Sequence, residues 1–275
     1  MAAGRRILDR YGSAGGGLLA GGLAYAALFA IVPGVVLLAG VVGLVYADPI
    51  ARAEVVAVLV GVLPPMRDLI ETVLSEAARD ATQVSIIGAV ILVWGTSRFV
   101  VAFDGAIARV MGGDKARGVL AQNLAALGAV VLMVLAIPAS AVLSALAALL
   151  EEGQSIGALQ AVGAALSIAL GVLPAFATIG AMVLVYRAVP TPAPTWRAAF
   201  VPGVAVGLAL EIVARLFAFL APRLIGAAAL LGTIATVFAA LAWLALSFQA
   251  ILLGAAWVRD RSERATPPGA RTLEP

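Results

Sequence analysis

Six apolar stretches dominate this chain, at residues 14–46, 84–103, 119–150, 156–186, 198–220 and 227–258. Each matches or exceeds the ~20 residues that a helix needs to cross the hydrocarbon core of a bilayer. Hydrocarbon offers no partner to a backbone N–H or C=O, so a crossing segment must satisfy its own hydrogen bonds, as a helix does and an isolated strand does not. Runs of Ala, Leu, Val and Gly of this length therefore predict an all-α fold: a polytopic transmembrane helical bundle of about six spans. Composition agrees. Of the residues, 63% are hydrophobic and 12% charged, and the mean hydropathy is +1.09. A soluble domain carries about twice that charge fraction, so acyl chains are the expected solvent.

What is missing narrows the chemistry. With no cysteine and no histidine, the chain has no disulfide, thiolate nucleophile or imidazole base, and lacks the commonest transition-metal ligands. It has neither a phosphate-binding glycine loop ending in Lys-Ser/Thr nor a nucleophile elbow. The pI of 9.8 comes from a net charge of only +3, with the arginines scattered in short flanks instead of gathered into a basic patch, so no nucleic-acid partner is expected. Neither a cofactor, a metal nor an enzymatic activity is expected.

Residues 1–258 read as a single transmembrane domain and 259–275 as a disordered cytoplasmic tail. The first, third and fourth runs contain Pro33, Pro138 and Pro174, where a helix loses a hydrogen bond and kinks. Between the first two runs, 53–63 and 66–78 have amphipathic spacing, which predicts short helices lying on the membrane surface. The proline-rich segment 187–197 is too polar and rigid to be a span. Arg5, Arg6 and Arg10 precede the first run and Ala24-Tyr25-Ala26 resembles a signal cleavage site, but apolar sequence continues for about twenty residues beyond it, so an uncleaved span is expected.

Orientation follows the arginines and lysines. With the N-terminus inside, twelve lie on the cytoplasmic side (Arg5, Arg6, Arg10, Arg109, Lys115, Arg117, Arg187, Arg197, Arg259, Arg261, Arg264, Arg271) and four outside (Arg52, Arg67, Arg79, Arg223). The bias selects both ends inside. Pro33 and Pro174 would suit two three-helix halves, but no further pattern repeats.

Charges within apolar runs are the candidate functional residues, because a buried ion costs a few kcal/mol and marks a pathway or a pair. Glu211 sits near mid-bilayer in the fifth run and Arg215 one turn on, at i,i+4 spacing. Gly203 and Gly207 lie on the same stripe, a small-xxx-small pattern that admits a second helix closely. The Glu-Arg pair either neutralises itself and pins helix register or forms a station on a substrate path. Arg98 either snorkels to the inner interface or binds an anionic headgroup. Asp104 reads as a solvated helix-end charge. Tyr25, Ser247 and Gln249 are polar groups deep in spans, suited to interhelical hydrogen bonds, with Tyr25 and Gln249 also candidates for the path. Tyr186, Trp196 and Trp257 fall at expected interfaces. Gly12, Gly16, Gly17 and Gly21 suggest close helix contacts.

Several of these segments together resemble the YihY/BrkB family of bacterial inner-membrane proteins. They are Ala24 to Pro33 with its Tyr and its Pro eight residues on, Trp94 to Asp104, the hinge Tyr186-Arg187-Ala188-Val189-Pro190 followed by Trp196-Arg197, and Trp243 to Gly254. Asp104 stands where the family usually has Asn, and Ala256 where it has a closing Glu, so no role of that Glu carries over. The resemblance implies six spans in a bacterial inner membrane. Members have been labelled ribonuclease BN, a label that this chain's lack of metal ligands and of a basic groove argues against; others have been linked to envelope integrity, serum resistance or the movement of lipid precursors. The function expected is transport or translocation of a lipid or an amphipathic, anionic solute, with membrane lipids as partners. The alternative is a non-transporting envelope scaffold acting through 47–83, and a membrane-bound hydrolase ranks third.

Overall fold

Apolar sequence that cannot leave its backbone unpaired in hydrocarbon folds as helix, and helix is what the structure, a computed structural model, shows. It describes residues 2–45, 81–112, 157–190, 193–227 and 233–265. Among these there is no strand, and six helices account for nearly all: α1 Ala2–Ser13, α2 Gly16–Val45, α3 Ala81–Met111, α4 Gly157–Ala188, α5 Trp196–Ala227 and α6 Thr233–Ala265. The run at 119–150 with Pro138 lies outside the described residues, as do the expected surface helices at 53–63 and 66–78.

The amino-terminal arginines belong to a helix of their own. In α1, Ile7, Tyr11 and Ala14 pack on the core at i, i+4 and i+7 while Arg5, Arg6 and Asp9 are exposed, the amphipathic pattern of a helix lying across the end of a bundle. The chain then bends by 61° into α2. Gly15 makes the bend at φ +72°, a left-handed conformation that glycine adopts without steric cost, and a Cβ on Gly16 would strike the ring of Tyr11.

Alanine carries much of the packing. Ala20, Leu23, Ala24 and Ala27 form one buried stripe of α2, against which lie Ala106, Ile107 and Val110 of α3 and Leu252, Ala255 and Ala256 of α6. Small side chains bring helix axes close, so dispersion and weak polar contacts supply the association that water would otherwise drive. Backbones approach closely where a Cβ on Gly95 of α3 would lie 2.6 Å from the Phe29 carbonyl oxygen of α2. Phe99, Phe103 and Phe248 fill the space between α3 and α6, with ring centroids 5.7–6.4 Å apart. Tyr186, expected in an interfacial belt, is instead fully buried between α4 and α6, where its hydroxyl donates to the Ile251 carbonyl at 2.6 Å. A tyrosine with a partner for its hydroxyl is as good a core residue as phenylalanine.

The outer surface is inverted relative to a soluble protein. Phe176 and Phe238 are each 67% exposed and Ile212 66%, with many other large apolar side chains facing outward. Trp196–Leu220 and Ile234–Arg264 are long and apolar enough to cross a membrane, and a third span is counted if Ala3–Ser13 and Gly16–Ile31 form one bent crossing. This is a membrane protein.

One end of the bundle gathers the amino ends of α2 and α5 and the carboxyl ends of α3, α4 and α6. Arg259 of α6 donates to the Val110 carbonyl of α3, Arg261 donates to the Arg197 carbonyl of α5, and the Arg187 guanidinium of α4 lies over the Trp196 ring of α5. The segment beyond Val258, expected to be a disordered tail, is helical through Ala265. Its charges find fixed partners at this end, which offsets the entropy of ordering them.

Candidate functional site

Each candidate site residue can be placed by its distance along its helix, at 1.5 Å rise per residue. Counting from the charged end, Tyr25 lies about 14 Å in from Gly16, Gln249 about 15 Å in from Arg259, and Arg98 about 18 Å in from Val110. On α5, Glu211 is about 22 Å and Arg215 about 28 Å in from Trp196. Glu211 therefore lies at the middle of α5 and Arg215 one turn beyond it.

No hydrogen bond or ion pair among the described residues joins any two of these five. Glu211 is half-buried and Arg215 exposed, and the i,i+4 spacing does not close into an ion pair between described groups. Tyr25 is 60% exposed and tilts against Phe29 at a centroid distance of 4.7 Å, so it faces outward from the helices described. Arg98 does not snorkel to the charged end: its guanidinium lies 5.9 Å from the Trp94 ring, one turn nearer the far end. The reason is directional, since helical side chains tilt toward the amino end, which for α3 is the far end. Asp104, expected to be solvated, is 5% exposed and has an interaction partner; α3 continues two turns past it, to Met111.

The glycines divide. A Cβ on Gly203 would stand 2.7 Å from the Val183 Cα and one on Gly207 2.6 Å from the Ile179 Cα, so α4 and α5 cross backbone to backbone on this stripe. At Gly12, Gly17 and Gly21 an added Cβ would meet nothing within 4 Å among the described residues, so the close contacts expected there are not made by the helices described. The packing stripe of α2 is its alanine face, a fraction of a turn away.

The best-developed polar constellation, which the sequence reading passed over, closes the charged end. Asp260 is 4% exposed and receives Arg6 Nε at 3.2 Å, Arg10 Nη2 at 3.8 Å and the Arg264 guanidinium. Glu263 receives Arg259 Nε at 3.0 Å and the Arg10 guanidinium. Gly112, at φ +72°, passes directly beneath the Arg259 guanidinium, which a Cβ would displace. Two carboxylates thus pin α1 to α6, and Arg259 ties in α3. A local signal existed: Arg259/Glu263 and Asp260/Arg264 are both i,i+4 pairs, which favour continued helix. Nothing local could show that Arg6 and Asp260, 254 positions apart, would meet. Among the described residues no three carboxylates gather as a metal site would need.

No curated protein and no solved structure matches the chain. The family model described as virulence factor BrkB matches residues 7–273, from within α1 to two residues short of the end of the sequence. With a match over that length, on described residues that are helical and turn apolar side chains outward, this membrane protein belongs to the virulence factor BrkB (YihY/BrkB) family.

Proposed function

We propose that the chain is a multi-pass protein of the bacterial inner membrane, crossing six times with both ends cytoplasmic, and that it translocates a lipid or another amphipathic, anionic solute. The six-span reading is supported by counting ends. From the charged end, α2 leads away, α3 returns, and α4, α5 and α6 return, leave and return. The described chain leaves off at the charged end at Gly112 and resumes at the far end at Gly157, which fits the six-span reading with one further crossing between them. The 44 intervening residues suffice for one crossing of about 20 residues and not for three. The arginine excess at the charged end makes that end cytoplasmic.

One observation carries the translocation reading: Glu211 and Arg215, half-buried and exposed respectively in the apolar middle of α5, have no partner among the described residues. An ion in that position is stable only beside water, a counter-charge or a ligand, and a path for a charged headgroup supplies these. The α4–α5 crossing at Gly203 and Gly207 holds the helix firmly below the two charges. Arg98, Tyr25 and Gln249 are the further candidates for this path, which needs no catalytic step and no resident metal or cofactor. The scaffold alternative rests on 47–83, of which only the last three residues are described, and no observation favours it.

The test is flux in proteoliposomes, using phosphatidylglycerol with a fluorescent headgroup and quenching from outside. Glu211→Gln and Arg215→Ala are each expected to slow transfer by roughly tenfold or more, equivalent to about 1.4 kcal/mol of lost stabilisation along the path. Undiminished transfer in both variants would exclude these residues from the path.

A further inference from the structure

At the charged end, the hinge between α4 and α5 leaves an open groove of about 430 Å³ lined by Trp196, Arg197, Phe200, Val201 and Arg261. Its walls are apolar: Trp196 and Phe200 are each 56% exposed and Val201 42%. Its mouth is cationic. Arg197 and Arg261 line it, and the Arg187 guanidinium stands 5.6 Å from the Trp196 ring centroid.

These three arginines differ from those of the neighbouring ion-pair cluster. Asp260 and Glu263 are held by Arg6, Arg10, Arg259 and Arg264, whereas no ion pair among the described residues involves Arg187, Arg197 or Arg261. The Nε atoms of Arg187 and Arg261 are shielded from solvent and have no hydrogen-bond partner among the described residues. Three guanidinium groups with no ion pair among the described residues, gathered at one mouth, suit an anion with several acceptor oxygens. The apolar wall begins at the same level and runs along α5 toward the bilayer interior, so the anion carries a hydrocarbon chain. Arginines that grip phosphate, an indole at headgroup depth and a greasy strip below them are the pieces that recognise an anionic lipid.

We infer that this groove is a binding site for an anionic glycerophospholipid, with its phosphate on Arg187, Arg197 and Arg261 and an acyl chain along Phe200 and Val201. Three cations without an ion pair among the described residues favour a headgroup with two phosphodiesters over one. The site stands apart from the Glu211/Arg215 path, at the opposite end of α5, and does not depend on the chain translocating anything. Only the assignment to the cytoplasmic leaflet rests on the orientation proposed above.

The test is native mass spectrometry of the full chain in detergent, titrated separately with cardiolipin, phosphatidylglycerol, phosphatidylcholine and inorganic phosphate. Cardiolipin is expected to be retained most strongly, phosphatidylglycerol less and phosphatidylcholine least, with inorganic phosphate failing to displace cardiolipin. Arg187→Gln/Arg197→Gln is expected to weaken cardiolipin binding about 25-fold, at about fivefold per arginine. The control Arg5→Gln/Arg109→Gln, which removes the same charge from exposed positions elsewhere, is expected to leave binding unchanged. Phe200→Ser keeps the cations and is expected to weaken binding of long-chain lipid more than that of a short-chain analogue. Equal retention of phosphatidylcholine, equal loss in the two double variants, or full displacement by phosphate would each overturn the inference.

Discussion

Asp260→Ala is expected to destabilise the detergent-solubilised chain by about 3 kcal/mol and to release α1 from the end of the bundle. Removing one member of a buried ion pair costs about 3–5 kcal/mol, because the partner charge stays behind uncompensated. The lower figure applies here, since the Arg6, Arg10 and Arg264 side chains are 45%, 24% and 54% exposed and regain some hydration. Glu263→Gln is expected to cost only about 1 kcal/mol, its side chain being 34% exposed. Thermal unfolding followed by circular dichroism measures both, and limited proteolysis reports α1, which is expected to be cut within Arg5–Arg10 in Asp260→Ala and protected in the parent. Equal stability of Asp260→Ala and the parent would show that the cluster is decorative.

Two glycine pairs with the same four-residue spacing are expected to respond in opposite ways to leucine. Gly203→Leu/Gly207→Leu drives side chains into the backbone of α4, where a bare Cβ already falls within 2.7 Å of the Val183 and Ile179 Cα atoms. A single overpacking substitution costs about 1–3 kcal/mol, so the double variant is expected to lose the α4–α5 interface and to aggregate on solubilisation. Gly17→Leu/Gly21→Leu, with nothing within 4 Å of either Cβ among the described residues, is expected to stay within about 0.5 kcal/mol of the parent, as surface substitutions usually do. Monodispersity on size exclusion and thermal unfolding separate the two outcomes. A tolerated Gly203/Gly207 pair would contradict the helix crossing described.

The contrast between those pairs shows what hydropathy does and does not encode. The apolar runs at 14–46 and 156–186 lie within about two residues of α2 and α4 at each end, whereas α3, α5 and α6 run about seven residues past the carboxyl ends of the runs at 84–103, 198–220 and 227–258, because helix continues into polar flanks that hydropathy does not register. Neighbours are not registered by hydropathy either. Gly17 and Gly203 sit in equivalent local patterns, and only the placement of α4 distinguishes them. Tyr186 and Trp196 are both aromatic residues near a span end, yet the first is in the core and the second on the surface. The Glu211/Arg215 spacing permits a pair that does not form between described groups, while the pairs that do form join α1 to α6 across nearly the whole sequence. The charges of 259–265 looked like a solvated tail because a polar segment after a span has that composition; with partners on α1 and α3 they became the last two turns of α6. The lipid groove was equally hidden, since Arg187 and Arg261 come from helices separated by α5.

The central claim is that this bundle spans a membrane with α1 and the end of α6 together on the cytoplasmic side. Because the chain has no cysteine, single cysteines at Leu8, Arg223 and Arg264, all exposed, report it directly through an impermeant maleimide applied to spheroplasts of an expressing bacterium. The account predicts labelling of Arg223→Cys from outside, and labelling of Leu8→Cys and Arg264→Cys only after permeabilisation. Opposite accessibility of Leu8→Cys and Arg264→Cys, or equal labelling at all three positions before permeabilisation, would contradict it.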